Sequence, residues 1–204
     1  MVIRIIRKLY RQSKPLVDYF SAIIILLITS PVLFLVGLMV KLTSPGPVFY
    51  TQERVGKDGC LFRIVKFRTM YVDAESQVGP VWAKKGDKRI TAVGRLLRRT
   101  HIDELPQLIN VIKGDMSIIG PRPERPFFVN KFEGRIPDYA ERLSVKPGIT
   151  GMAQCYQNKY DENVRDVEKK LRYDMLYIKR MCWMLDFKIL LLTLRVSLSG
   201  EVVK

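Results

Sequence analysis

The hydrophobic pattern divides the chain into a greasy start and a mixed remainder. Residues 19–40, YFSAIIILLITSPVLFLVGLMV, carry no charge. The run is long enough for a membrane helix, which needs roughly 20 apolar residues. Past it the period changes. PVFYTQERV (47–55) and CLFRIVKFRTM (60–70) read as strands flanking the turn GKDG (56–59), a β-hairpin. ITAVGRLLRRT (90–100) has helical spacing, and a second helix covers 105–112 and stops at Gly114. IIGPRPERP (118–126) must be extended, because a residue before proline avoids the helical well. VKPGITGMAQ (145–154) reads as a Gly/Pro-shaped loop, and the polar stretch 73–88 as a mobile connection. Residues 162–180 form a heavily charged helix. The tail MCWMLDFKILLLTLRVSLSG (181–200) is apolar over most of a helix, which suits either a membrane interface or a core. The sum is an α+β fold, mostly helical.

The apolar run is interrupted near its middle by Ser30-Pro31. Proline removes a backbone donor and crowds the preceding turn. The carbonyl it frees needs a partner in lipid, and a serine hydroxyl can supply one. Arg4, Arg7, Lys8, Arg11 and Lys14 precede the run, and Lys41, Arg54 and Lys57 follow it. Basic residues mark the cytoplasmic side of a membrane segment. Basic flanks at both ends suit a hairpin that dips in and returns on one face; a kinked span remains the alternative on the residues alone. A signal peptide fits less well: the basic start suits one, but the run is too long and no small-residue cleavage site follows.

Charge narrows the class of partner. The 204 residues carry a formal net charge of +15. Such an excess calls for nucleic acid, a membrane surface or phosphate-bearing substrates. No nucleic-acid recognition motif is present. Cys60, Cys155 and Cys182 are too scattered for a disulfide framework or a zinc site, in keeping with a reduced compartment. His101 is the one histidine in the sequence and cannot build a metal site alone.

The candidate chemistry lies in RRTHIDELPQLINVIKGDMSIIGPRPERP, where Asp103 and Glu104 stand among arginines. Neighbours on a helix point about 100° apart, so the two carboxylates cannot share a task. Pro106 favours a first helical turn, where free amides and the helix dipole hold a carboxylate ionised. Asp103 then suits a nucleophile. Glu104 suits a hard ligand for Mg²⁺, which binds one or two carboxylates plus substrate phosphates. Arg98, Arg122 between its two prolines, and Lys66 with Arg68 in KFRTM would clamp phosphate. Each feature also has a plainer reading: an Asp-Glu helix cap, a rigid Pro-Arg-Pro turn, a solvated basic face. Asp115 and His101 read as structural.

Taken together these residues resemble the bacterial sugar transferase family, the monotopic polyprenyl-phosphate phosphoglycosyl transferases. The likeness rests on Ser30-Pro31, SPGPVFYTQERVG (44–56), KFRTM (66–70), HIDELPQLINVIKGDMSIIGPRPERP (101–126), VKPGITGMAQ (145–154) and LDFKILLLTLRV (185–196), nearly the whole chain. The block from DELPQ to GPRP is its most specific part. Met152 stands where many relatives carry Trp or Leu. The resemblance implies a small member comprising the catalytic unit. It divides into a basic N-terminus and re-entrant membrane hairpin, broken at Ser30 and Pro31, over residues 1–43, and a cytoplasmic catalytic domain over 44–204. It implies a monotopic protein on the cytoplasmic face of the bacterial inner membrane, in contact with membrane lipids and able to form a homodimer. It implies transfer of a sugar 1-phosphate from a UDP-sugar to undecaprenyl phosphate with release of UMP, as in exopolysaccharide synthesis. Asp103 would carry a covalent phosphosugar, Glu104 would hold Mg²⁺, and Lys66, Arg98 and Arg122 would meet the phosphates. The variable stretch CYQNKYDENV (155–164) would touch sugar or base. The competing classes are a membrane-anchored basic binding module and an inactive scaffolding relative; neither gives the Asp-Glu pair and the Pro-Arg-Pro turn a use.

Overall fold

A computed structural model describes residues 2–74, 79, 81, 86–157 and 163–199, with the backbone alone for 2–7 and 198–199. The expected mobile stretch 73–88 and the variable stretch after Cys155 lie partly outside the described residues.

Helix α1, Val2–Thr43, is one continuous element and includes both Pro15 and Pro31. The expected break at Ser30-Pro31 is therefore not a departure from helical structure. The reason is local. Proline 31 cannot donate to the carbonyl of Leu27, and the Ser30 hydroxyl donates to it instead, at 2.8 Å. The Thr29 hydroxyl similarly donates to Ile25 O at 2.7 Å.

Tyr10, Lys14, Asp18, Ala22, Val36 and Val40 are buried, and Ile25, Leu26 and Leu33 pack beside them. Steps of three and four keep these residues on one face of the helix. That face stays on the rest of the protein from Tyr10 to Val40. The opposite face, including Leu16, Phe20, Leu27, Ile28, Phe34, Leu35 and Leu42, is apolar and exposed. Among the described residues α1 is the one helix long and apolar enough to cross a membrane. A surface this apolar and this large marks a membrane or protein contact.

The near end of α1 is fastened by a buried polar cluster. Lys14 Nζ lies 2.8 Å from Asp186 and 3.5 Å from Asp18. The Tyr10 and Tyr177 hydroxyls donate to the two Asp186 oxygens at 2.7 and 2.9 Å, and Ser117 donates to Asp18 at 2.6 Å. The far end is capped by Arg68, whose guanidinium donates to the Ser44 carbonyl and hydroxyl and to Pro45 O.

Strands β1, Phe49–Val55, and β2, Leu61–Phe67, form the expected antiparallel hairpin in continuous register from Phe49↔Phe67 to Val55↔Leu61. Asp58 and Gly59 take left-handed backbone angles at its turn. Helix α2, Ala92–Thr100, is capped by the Thr91 hydroxyl. His101, left-handed at φ 58°, ends α2 and redirects the chain into a 3-10 helix, Ile102–Gln107, continued by α3, Leu108–Lys113. Gly114 stops α3 with φ 86°, as its sequence position requires.

VKPGITG is more ordered than a loop. Strand β3, Ser117–Ile119, pairs in parallel with β4, Gly148–Thr150. Gly120 and Gly148 face one another so closely that a Cβ on either would collide with backbone of the other's segment. The Pro-Arg-Pro turn follows β3 and leads into α4, Pro126–Glu133, which starts on proline. A 3-10 helix, Tyr139–Ser144, precedes β4. Helices α5, Met152–Tyr156, α6, Val164–Arg180, and α7, Trp183–Ser199, complete the chain. Helix α7 buries Ile189 and Asp186 but exposes Trp183, Met184, Phe187, Leu191 and Leu194. The core reading of the tail thus holds for one face, and the other is apolar and exposed. The result is an α+β fold, mostly helical, with two two-stranded sheets among the described residues.

Candidate active site

The site is assembled from a strand, a 3-10 turn and a rigid loop. Strand β2 delivers Lys66, the 3-10 helix delivers Asp103 and Glu104 in its first turn, and the Pro-Arg-Pro turn delivers Arg122. Lys66 Nζ donates to Glu104 Oε1 at 2.9 Å. Arg122 donates through Nη2 to Oε1 at 2.7 Å and through Nη1 to Oε2 at 3.2 Å. Two cations thus converge on one carboxylate, whose side chain is 10% exposed. Burial alone would raise the Glu104 carboxyl, but Arg122 and Lys66 together outweigh it and hold it well below its usual value. Arg122 is pushed up, chiefly by Glu104. Lys66 goes the other way: its burial outweighs the single carboxylate it shares with Arg122, so its ammonium is more acidic than usual. The asymmetry is physical, because the carboxylate has two cations and the ammonium has a fraction of one anion.

Asp103 is buried, at 6% exposure, and near enough for its charge to reinforce both Lys66 and Arg122. It lies in a first helical turn, as expected, but Pro106 does not start that turn. The turn begins at Ile102, immediately after left-handed His101, so Pro106 falls in the interior of the 3-10 helix and not at its first position. Arg98 lies on α2 and donates from Nε to the Thr69 hydroxyl at 2.7 Å, at the end of KFRTM. The structure brings Lys66, Glu104 and Arg122 into direct contact and ties Arg98 to the strand that carries Lys66. Ser30 and Pro31 are exposed on α1. Arg68, which the sequence grouped with the phosphate clamp, is spent on the end of α1.

Asn110 was not foreseen. It is 1% exposed, accepts from Val65 N at 3.0 Å and donates to Arg63 O at 2.8 Å. Its amide replaces a neighbouring strand along the free edge of β2 at Arg63 and Val65 and so fixes the strand just before Lys66. An asparagine inside the apolar run LINVI was the available signal, since a polar group there must find a partner.

Among the described residues no three His, Cys, Asp or Glu side chains converge on a common point. A metal at this site would rest on Glu104, with substrate phosphates and water completing its shell. That oxygen donor set fits Mg²⁺. Both Glu104 oxygens now receive hydrogen bonds, so a cation must compete with Lys66 or Arg122 for them.

An apolar groove of about 490 Å³ opens beside the site, lined by Leu33, Phe34 and Leu38 of α1, Phe49 and Phe67 of the hairpin, and Pro106 and Ile109. Lys41 is its one charged lining residue. Pro106 lies three residues beyond Asp103, so the groove and the carboxylates share one helical stretch.

The chain is 44% identical over 192 residues to the UDP-N-acetylgalactosamine-undecaprenyl-phosphate N-acetylgalactosaminephosphotransferase of Aeromonas hydrophila, covering 94% of this chain and 45% of that protein. It is 40% identical over 191 residues to the UDP-glucose:undecaprenyl-phosphate glucose-1-phosphate transferase of Caulobacter vibrioides, covering 92% of this chain and 70% of that one. The protein of the same name in Escherichia coli (strain K12) is 43% identical over 185 residues, 90% of this chain and 39% of the relative. The chain thus spans less than half the length of the first and third of these relatives. The bacterial sugar transferase family matches residues 9–200, almost the full length and the whole of the site described above, and the chain belongs to that family.

Proposed function

We propose that the chain transfers a sugar 1-phosphate from a UDP-sugar to undecaprenyl phosphate and releases UMP. The observation that carries this is the Lys66–Glu104–Arg122 cluster beside Asp103, set against an apolar groove. A diphosphate needs cations; a polyprenyl chain needs an apolar bed next to them.

Asp103 is the nucleophile. Its carboxylate oxygen attacks the phosphorus bonded to the sugar, the bond from that phosphorus to the bridging oxygen breaks, and UMP leaves with that oxygen. A phosphate oxygen of the polyprenyl acceptor then attacks the same phosphorus and the acyl-phosphate bond breaks, returning Asp103 as carboxylate. Splitting the transfer into two displacements removes the need for three bodies to meet at once. Lys66 and Arg122 bind the phosphoryl oxygens and orient the phosphorus toward Asp103. Arg98 holds the Thr69 end of the Lys66 strand and extends the basic wall. Glu104 would hold Mg²⁺, which when bound offsets the negative charge of the diphosphate.

Helix α1 acts as a re-entrant helix, bending at Ser30-Pro31 within its continuous helical run so that both ends stay on the cytoplasmic face of the inner membrane. Support comes from the continuous buried stripe from Tyr10 to Val40. A helix crossing the bilayer upright would leave the protein along its length, whereas this one keeps its inner face on the fold and offers its outer face to lipid.

The test is UMP release by the protein in lipid nanodiscs with Mg²⁺, undecaprenyl phosphate and a panel of UDP-sugars. UDP-N-acetylgalactosamine and UDP-glucose come first, because relatives are named for them. Release from one donor that depends on the acceptor is expected. No release from any donor overturns the proposal.

A further inference from the structure

We infer that Arg54 and Arg142 are positioning residues that hold the backbone of the Pro-Arg-Pro turn so that Arg122 reaches the site. Prolines 121, 123 and 126 have no N–H, so this segment cannot fix itself in a sheet by its own donors. Its carbonyls must do the work, and four in succession have a partner from elsewhere in the fold. Gly148 N–H donates to Pro121 O at 2.9 Å. The Arg142 guanidinium donates to Arg122 O at 2.9 Å. The Arg54 guanidinium donates to Pro123 O at 3.0 Å. Val55 N–H donates to Glu124 O at 2.9 Å.

Two of the four donors are buried guanidinium groups. Burying such a charge is costly unless it is paired. Arg142 is paired, with Nε and Nη2 at 3.0 and 2.8 Å from Asp174 of α6 and Nη1 on the Tyr139 hydroxyl at 2.9 Å. Arg54 is less well served. It donates to Gln52 at 2.8 Å and lies 3.7 Å from Glu124, and its buried Nε lacks a hydrogen-bond partner. A fold that only needed to satisfy these carbonyls could use neutral donors or water. Charged donors bond about twice as strongly. They fit a turn whose one exported side chain, 35% exposed, must meet a phosphate at a fixed place. Arg142 holds the carbonyl of the Arg122–Pro123 peptide and Arg54 that of the next, Pro123–Glu124, so together they fix the two peptide planes that follow Arg122 and with them the direction in which Arg122 leaves the backbone.

The inference rests on the proposed function for its ligand, and the test separates the two. UDP with Mg²⁺ is the probe, titrated against the full chain in nanodiscs. Arg54→Met is expected to weaken UDP binding about 10-fold, and Arg54→Lys, which can still donate to Pro123 O, to recover most of it. Arg142→Gln should act in the same direction. In an Arg122→Ala background the Arg54→Met change should fall below about 2-fold, because residues acting through one another are not additive. Amide exchange at Val55 and Gly148 should speed up in Arg54→Met and Arg142→Gln but not in Arg122→Ala, which keeps the backbone. Equal losses with and without Arg122, or unchanged exchange at both amides, overturn the positioning role. Failure of the unaltered protein to bind UDP at all counts against the proposed function alone, and the exchange measurement then decides the positioning role.

Discussion

Arg122 grips Glu104 with two nitrogens, one on each carboxylate oxygen, and Lys66 adds a third donor to the nearer oxygen. Glu104 thus holds Lys66 and Arg122 in place. On the proposed function it acts as a stand-in anion until a diphosphate arrives. Glu104→Gln removes the charge that keeps a largely buried Lys66 and a partly exposed Arg122 together. Breaking a buried pair in this way costs about 3–5 kcal/mol, and donor turnover should be lost. Thermal melts and UMP release measure the two effects.

The same carboxylate predicts an acid limit. Its folded value lies well below 4.5, the ordinary one, so its contribution to stability is complete above about pH 4.5 and is lost as pH falls through the folded value. The stability difference between the unaltered protein and Glu104→Gln should be constant from neutral pH down to about 5 and shrink below that. Denaturant titrations at several pH values check it; a gap that widens in acid would refute the assignment.

Asp103→Asn keeps the size of the side chain and removes the proposed nucleophile. Turnover should vanish, and intact mass after exposure to the donor should show no phosphosugar adduct. An adduct on the unaltered protein alone is the expected outcome.

How far was this legible beforehand? The hairpin was, because its alternation and GKDG turn are local signals, and with it came the placement of Lys66 on a strand. The stop at Gly114 was legible for the same reason. Strand β4 was not: three residues show no period, and its partner β3 is some thirty positions earlier. Nor could the sequence say that Glu104 pairs with Lys66 and Arg122, since charge type is written in the chain but the meeting of β2 with the Pro-Arg-Pro turn is not. At Ser30-Pro31 the pairing of serine with proline was legible, and so was the substitution that keeps α1 helical there, with the Ser30 hydroxyl taking the bond Pro31 cannot make.

That substitution can be tested directly. Ser30→Ala leaves Leu27 O without its donor and should cost about 1–3 kcal/mol in lipid. Adding Pro31→Ala restores a backbone N–H and should recover it. A cysteine at 41–45 should be labelled from the cytoplasmic side in the parent; exclusive periplasmic labelling would show a true span.

Filling the apolar groove separates donor from acceptor. Gly37 faces Val48 and Phe67, with ordinary contact distance for a Cβ. Gly37→Leu should raise KM for undecaprenyl phosphate about 10-fold, as one buried side chain of lost contact implies, while leaving adduct formation from the donor unchanged.

Asn110→Leu would strip the free edge of β2 of its substitute strand. Val65 N–H and Arg63 O would lose their partners at a cost of about 1–3 kcal/mol each. Unfolding midpoints and the rate of donor cleavage should fall together, since Lys66 lies on the same edge.

The fastening of α1 also sets an order of events during synthesis. Lys14 and Asp186 are separated by 172 positions. At roughly 5–20 residues per second a ribosome takes roughly 10–30 s to travel between them. The greasy helix therefore emerges and waits, Lys14 paired with Asp18 of its own helix but not yet with Asp186, until α7 is made. On the proposed membrane reading the bilayer holds it during that interval, and the clasp between α1 and α7 closes last.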